Sequence, residues 1–271
     1  MPDHEPPGLG EDGGGGCAEN GSDVHFWAGA GPPAAEKGRG GPGLSLTGSP
    51  FPLTMALEAM KTEILTLIDG PEGWDAIGHV ADVLRRDGVM AYPTETFYGL
   101  GAVCLSRAGI RKVYRLKKRD PRKPLSVIAS DLNMVREVAA APVPPILLRL
   151  AGEFWPGPLT VVLKAKAGLP AALLGPGGTI GLRIPPAPWL RKLVSELSAP
   201  LTATSANLTG EKELADPSEV RRLFEGRVDL IIDGGATPGG RPSTVVDLTR
   251  QPAAILRAGA IPAGRLAEFL T

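Results

Sequence analysis

From Trp74 to the end of the chain, short apolar runs alternate with segments of helical spacing, and this alternation narrows the choice of folds more than any other feature. The runs Val89–Tyr92, Leu125–Ala129, Leu159–Lys164, Thr179–Ile184, Pro200–Ala203, Val228–Ile232, Thr244–Leu248 and Ala254–Arg257 are bounded by Gly, Pro and small polar residues and read as strands. Between them, Ile77, Val80, Ala81 and Leu84 recur on one helical face, with Gly88 where a C-terminal cap belongs. Ser106–Lys117 predicts a helix capped by Ser106, Ser130–Ala140 one capped by Ser130, and Pro145–Trp155, Trp189–Leu197 and Ile261–Leu270 three more. Asp216, Pro217 and Glu219 form a helix start of N-cap, N1 and N3 type for a helix to about Phe224. Strands interleaved with helices in this way predict an α/β sheet domain over 72–271.

The first 55 residues are of another kind. Gly, Pro and small polar residues dominate them, without apolar periodicity, so ordering them would cost more than burial returns. Residues 1–55 are expected to be a disordered tail and 56–71 a linker. Gly38, Gly40 and Gly43 have G-x-G-x-x-G spacing, but no strand precedes them and no helix follows, so this is composition and not a dinucleotide fingerprint.

The totals exclude several classes. Lys plus Arg equals Asp plus Glu at 29 each and aromatics are 5%, which argues against a generally basic nucleic-acid coat and makes any anion site local. Cys17 and Cys104 give neither a disulfide framework nor a cysteine zinc site. With no membrane-length apolar run and no signal-peptide layout, the expected location is the cytoplasm. There is no G-x-x-x-x-G-K-[ST] loop, and of the three histidines His4 and His25 lie in the tail and His79 in a predicted helix. A catalytic triad or a histidine metal site is therefore not expected, and no metal ligands are assigned.

The chemistry left is cationic and hydroxylic. Leu116–Leu125 holds Lys117, Lys118, Arg119, Arg122 and Lys123 beside Pro121 and Pro124, which stiffen a connection between a helix and a strand into an anion grip. Arg183 stands among apolar neighbours near a strand end and needs a carboxylate, either the protein's or a ligand's. Thr94, Glu95, Thr96 and Tyr98 precede two glycines, Gly99 and Gly101, read as permitting tight turns; the hydroxyls serve either a ligand or their own turn. Ser205 and Asn207 follow a short strand, where open α/β sheets present ligand-binding groups. Cations and hydroxyls without a strong base suit a reaction at a phosphorus centre, governed by positioning and charge neutralisation.

Pro93–Gly101 (P-T-E-T-F-Y-G-L-G), Lys117 and Arg119 with Lys123-Pro124-Leu125, Trp155–Thr160 (W-P-G-P-L-T), Gly181–Pro185 (G-L-R-I-P), Thr204–Asn207 (T-S-A-N) and Ser243–Asp247 (S-T-V-V-D) with Arg257 occur in an order that resembles the YrdC-like threonylcarbamoyl-AMP synthases. The resemblance implies a single open twisted mixed sheet flanked by helices. It implies condensation of L-threonine, bicarbonate and ATP to threonylcarbamoyl-adenylate and pyrophosphate, for modification of a tRNA adenosine beside the anticodon. ATP is then a substrate, and magnesium is expected with it. Carried over by residue, Thr96, Arg183 and Ser243 hold threonine. Arg119, Lys123, Thr179, Ser205 and Arg257 hold ATP, and Lys117, Arg119, Ser205 and Asn207 form the catalytic K-x-R and S-x-N signatures. A tRNA or double-stranded RNA contact and hand-off to a threonylcarbamoyl-transferase complex are further expectations; the separate C-terminal domain of longer members is not expected. Ala258 and Pro242 depart from the usual Pro and Gly, and Glu211 and Glu213 flank Lys212 where some members place a basic group. Two other readings compete: an RNA-binding protein without chemistry of its own, and a carbamoyl-adenylate domain of a maturation enzyme.

Overall fold

The computed structural model describes residues 61–67 and 76–270. The expected tail, 1–55, lies outside them. The expected linker, 56–71, is described only at 61–67, and there it holds a strand, β1 (Glu63–Thr66), aligned in parallel with β8 (Leu230–Asp233). Ile64 and Leu65 pack on the core from this edge, which the four-residue run was too short to announce.

The remaining strands are β2 (Met90–Tyr92), β3 (Gly99–Gly101), β4 (Ser126–Ile128), β5 (Leu159–Lys164), β6 (Thr179–Arg183), β7 (Leu201–Ser205), β9 (Thr244–Asp247) and β10 (Ala254–Arg257). They form one mixed sheet in the order β1-β8-β2-β3-β7-β4-β6-β5-β9-β10. The helices are α1 (Ala76–Arg85), α2 (Arg107–Lys117), α3 (Leu132–Val138), α4 (Ile146–Phe154), α5 (Pro188–Leu197), α6 (Pro217–Phe224) and α7 (Ala263–Leu270). Each α1 residue on the predicted face, Ile77, Val80, Ala81 and Leu84, is buried. None of the helices is long and apolar enough to cross a membrane, among the described residues.

Three local readings change. Asp87 carries the left-handed conformation after α1 (φ 62°), while Gly88 is needed because a Cβ there would stand 2.5 Å from the Val83 carbonyl oxygen. Asp131, not Ser130, caps α3, accepting from the amides of Asn133 and Met134. Gly99 and Gly101 make no turn: they lie in β3, and a Cβ on either would fall within 2.9 Å of the Tyr92 ring. The ring packs across β3 because those two side chains are absent.

Around the basic stretch the chain is held by its own hydrogen bonds. Ser106 Oγ caps α2 by accepting from the Gly109 amide, and Lys118 ends it in the left-handed region (φ 49°). The chain then bends back on itself. Arg119 donates from Nε to the Lys123 carbonyl (2.9 Å) and from Nη2 to the Pro124 carbonyl (2.8 Å), and the Tyr114 hydroxyl lies 2.8 Å from the Lys123 carbonyl oxygen.

A candidate active-site cleft

One face of the sheet opens into a cleft of about 210 Å³. Its floor follows from strand register. Gly99 faces Ser205, Ser126 faces Ala203, Thr160 faces Val245 and Val245 faces Arg257, and all of these residues line the cleft. Gly181 leaves room for Ser126, since a Cβ there would meet Ser126 Oγ at 2.8 Å. The loop after β2 supplies Thr94 and Thr96, and the loop after α2 supplies Arg119.

Six of the ten residues singled out from sequence meet here: Thr96, Arg119, Arg183, Ser205, Ser243 and Arg257. The other four do not line the cleft. Lys123 is exposed beside Arg119. Thr179 is buried at the start of β6, on the same face as Arg183 by strand alternation. Lys117 and Asn207 are buried and hold each other: Lys117 Nζ donates to the carbonyls of Ser205 and Asn207 and to Asn207 Oδ1 (2.5, 2.9 and 2.8 Å). Ser205 Oγ donates to the same Oδ1 (2.7 Å), and Asn207 Nδ2 donates to the Glu211 carbonyl. All three Lys117 donors are thus engaged in shaping the loop that presents Ser205. Burial, with Arg119 nearby, pushes the Lys117 ammonium down to about 8, and Glu213 opposes the shift.

On the opposite side, Arg257 donates from Nε and Nη2 to the Ser243 carbonyl (3.2 and 2.8 Å) and from Nη2 to Ser243 Oγ (3.0 Å). Ser243 Oγ also lies 2.9 Å from Thr160 Oγ1. Burial lowers the Arg257 pKa, Glu213 raises it and Arg183 lowers it further. Arg183 forms an ion pair with Glu95 through Nη2. Thr94 proves a turn former, its hydroxyl donating to the Phe97 carbonyl (2.7 Å).

Several residues of this region were not singled out from sequence, Glu95, Thr160 and Glu213 among them. Glu95 was visible only as one member of a loop, although Arg183 among apolar neighbours demanded a carboxylate. Thr160 sits in W-P-G-P-L-T, and the alternation of β5 would have placed it on one face without saying which face is open. Among the described residues Glu213 is the only acidic side chain lining the cleft, and no local pattern marks it. Among the described residues no cluster of three or more His, Cys, Asp or Glu could hold a metal ion.

Residues 82–259 match the Sua5/YciO/YrdC domain, a family described as telomere recombination. The chain is 35% identical over 201 residues to the threonylcarbamoyl-AMP synthase of Pyrococcus abyssi, covering 74% of this chain and 58% of that protein. It is 36% identical over 175 residues to a putative threonylcarbamoyl-AMP synthase of Methanocaldococcus jannaschii, covering 65% and 81%. The structure of P. abyssi Sua5 complexed with L-threonine superposes with a TM-score of 0.73 at 33% identity, over 77% of this chain and 61% of that one.

Proposed function

Because this chain belongs to the Sua5/YciO/YrdC family, we propose that it is an L-threonylcarbamoyladenylate synthase, joining L-threonine, bicarbonate and ATP into threonylcarbamoyl-AMP with release of pyrophosphate. The carrying observation is a single cleft that brings Arg119, Arg183 and Arg257 together with the hydroxyls of Thr96, Ser126, Thr160, Ser205 and Ser243. An amino acid and a triphosphate need fixed cations and short hydrogen bonds, and these residues supply both.

In this reading Arg183, Thr96 and Ser243 hold threonine, the guanidinium taking its carboxylate. The amine combines with bicarbonate, losing water, to give a carbamate. A carbamate oxygen then attacks the α-phosphorus of ATP and pyrophosphate departs. Arg119, Lys123, Thr179, Ser205 and Arg257 hold the nucleotide and offset the charge that builds on its phosphates. Lys117 and Asn207 act by fixing Ser205. A magnesium ion entering with ATP would draw its ligands mainly from phosphate and water, with Glu213 the acidic side chain at hand, and would neutralise phosphate charge. The product serves threonylcarbamoyladenosine modification of tRNA in the cytoplasm, by hand-off to a threonylcarbamoyl-transferase complex and with a tRNA or double-stranded RNA contact.

The test is pyrophosphate release from ATP and bicarbonate, with and without L-threonine. Release that depends on threonine is expected. A folded protein that releases none under any condition, but binds RNA in a salt-sensitive way, would replace this reading with an RNA-binding one.

A further inference from the structure

We infer that Glu95 and Arg183 form an exchangeable ion pair that reads both charges of an α-amino acid, which makes Glu95 a specificity-determining residue; this rests on the cleft being an amino-acid-activating site. The two side chains are paired through Arg183 Nη2 and Glu95 Oε1 alone. Glu95 Oε2 and Arg183 Nε are both buried and have no hydrogen-bond partner. A buttress that merely held Arg183 in place would be expected to close the fork, with two parallel bonds and nothing left over. Here one acceptor and one donor remain unused in a largely buried setting, the side chains being 20% and 11% exposed. Such groups are costly to leave unmade and mark where a ligand completes the set.

The chemistry of that ligand follows from charge. A carboxylate arriving alone on Arg183 would displace Glu95 and leave a second carboxylate unpaired, at a cost comparable to the pair it gained. A zwitterion avoids this. Its carboxylate replaces Glu95 on Arg183 while its ammonium gives Glu95 a new partner, so every charge stays paired and the net charge of the pocket is unchanged. Thr94 and Thr96, which flank Glu95, line the cleft together with Arg183; Glu95 is not itself a lining residue and meets the cleft through its pair with Arg183.

Calorimetric binding of two probes to the full chain tests this: L-threonine, and the 2,3-dihydroxybutyrate of the same configuration, in which a hydroxyl replaces the ammonium. The wild type should prefer L-threonine. Glu95→Gln should lose L-threonine by roughly tenfold or more, the scale of a charged hydrogen bond, and bind dihydroxybutyrate more tightly because the internal competitor is gone. Glu95→Asp should keep the wild-type preference. Equal tightening of both probes in Glu95→Gln would make Glu95 a simple plug and overturn the inference, as would no change in either. Should Glu95→Gln fail to fold, the wild-type ratio decides: equal affinity for the two probes rules the exchange out. A wild-type protein that binds neither probe but still binds ATP would sink the amino-acid reading itself.

Discussion

Lys117 is a buried cation and Arg183 a largely buried one, both close to the same cleft, yet their surroundings are opposite in kind. Every proton of the Lys117 ammonium meets an oxygen of the Ser205–Asn207 loop. Arg183 has one hydrogen bond, to Glu95, and a buried Nε without a partner. A polar network that is complete within the protein fixes shape; one left incomplete awaits something else. On this geometry the K-x-R and S-x-N motifs divide into residues that hold the Ser205 loop (Lys117 and Asn207) and residues that line the cleft (Arg119 and Ser205).

The largest effect that would break this contrast comes from Lys117→Met, which keeps the volume and removes the charge. The carbonyls of Ser205 and Asn207 would lose their donor, whereas Asn207 Oδ1 would keep Ser205 Oγ. Loss of about 3 kcal/mol of stability is expected in denaturant titration, together with at least a hundredfold drop in threonine-dependent pyrophosphate release. If activity fell without loss of stability, Lys117 would be touching substrate and not shaping the loop.

Arg183→Ala comes next and should act in the other direction. KM for L-threonine should rise by roughly a hundredfold, while ATP affinity moves little, because the guanidinium is assigned to the amino acid's carboxylate. An equal loss for both substrates would merge the two sides of the cleft into one.

The Lys117 ammonium also gives the contrast a pH signature. Its pKa is about 8 in the fold against an ordinary value of 10.5. Between those values the unfolded chain binds more protons, so the stability contributed by this group rises with pH through that window. Below about pH 8 the cost of burying the charge is fully present. Relative to Lys117→Met, the wild type should gain on the order of 2 kcal/mol between pH 8 and 10.5, measured by denaturant midpoints. A flat difference would mean that burial does not govern this amine.

Much of the fold was legible because burial in a sheet and burial on a helix leave different periods. β5 and β10 fall where the sequence puts them, and the Asp216 and Ser106 caps are present. What could not be read was tertiary. Gly99 and Gly101 look like turn glycines until Tyr92, seven and nine positions earlier, is seen lying across them. β1 is four residues long and is defined by its partner, β8, more than 160 residues away. Around the cleft, residues in dense motifs could be singled out from sequence, whereas Glu95, Thr160 and Glu213 stand out only through what lies opposite or beside them.

Thr160 offers the finest test of the contrast. Its hydroxyl touches only Ser243 Oγ among the side chains, at 2.9 Å, and Ser243 in turn accepts from Arg257 Nη2. Because a guanidinium can only donate, the Ser243 oxygen is committed as an acceptor on that side, and its own proton is left for Thr160 or for a ligand. Thr160→Val is nearly isosteric and removes the one competitor for that proton. If Ser243 meets threonine, freeing its proton should change KM for L-threonine by a factor of about 3 to 10 and leave stability within about 1 kcal/mol, since Ser243 keeps Arg257. If Ser243 and Thr160 only complete each other, as Lys117 and Asn207 do, the cost should appear in stability and not in KM. The substitution thus asks of a hydroxyl pair what Lys117→Met and Arg183→Ala ask of the cations: whether the network closes within the protein or on its substrate.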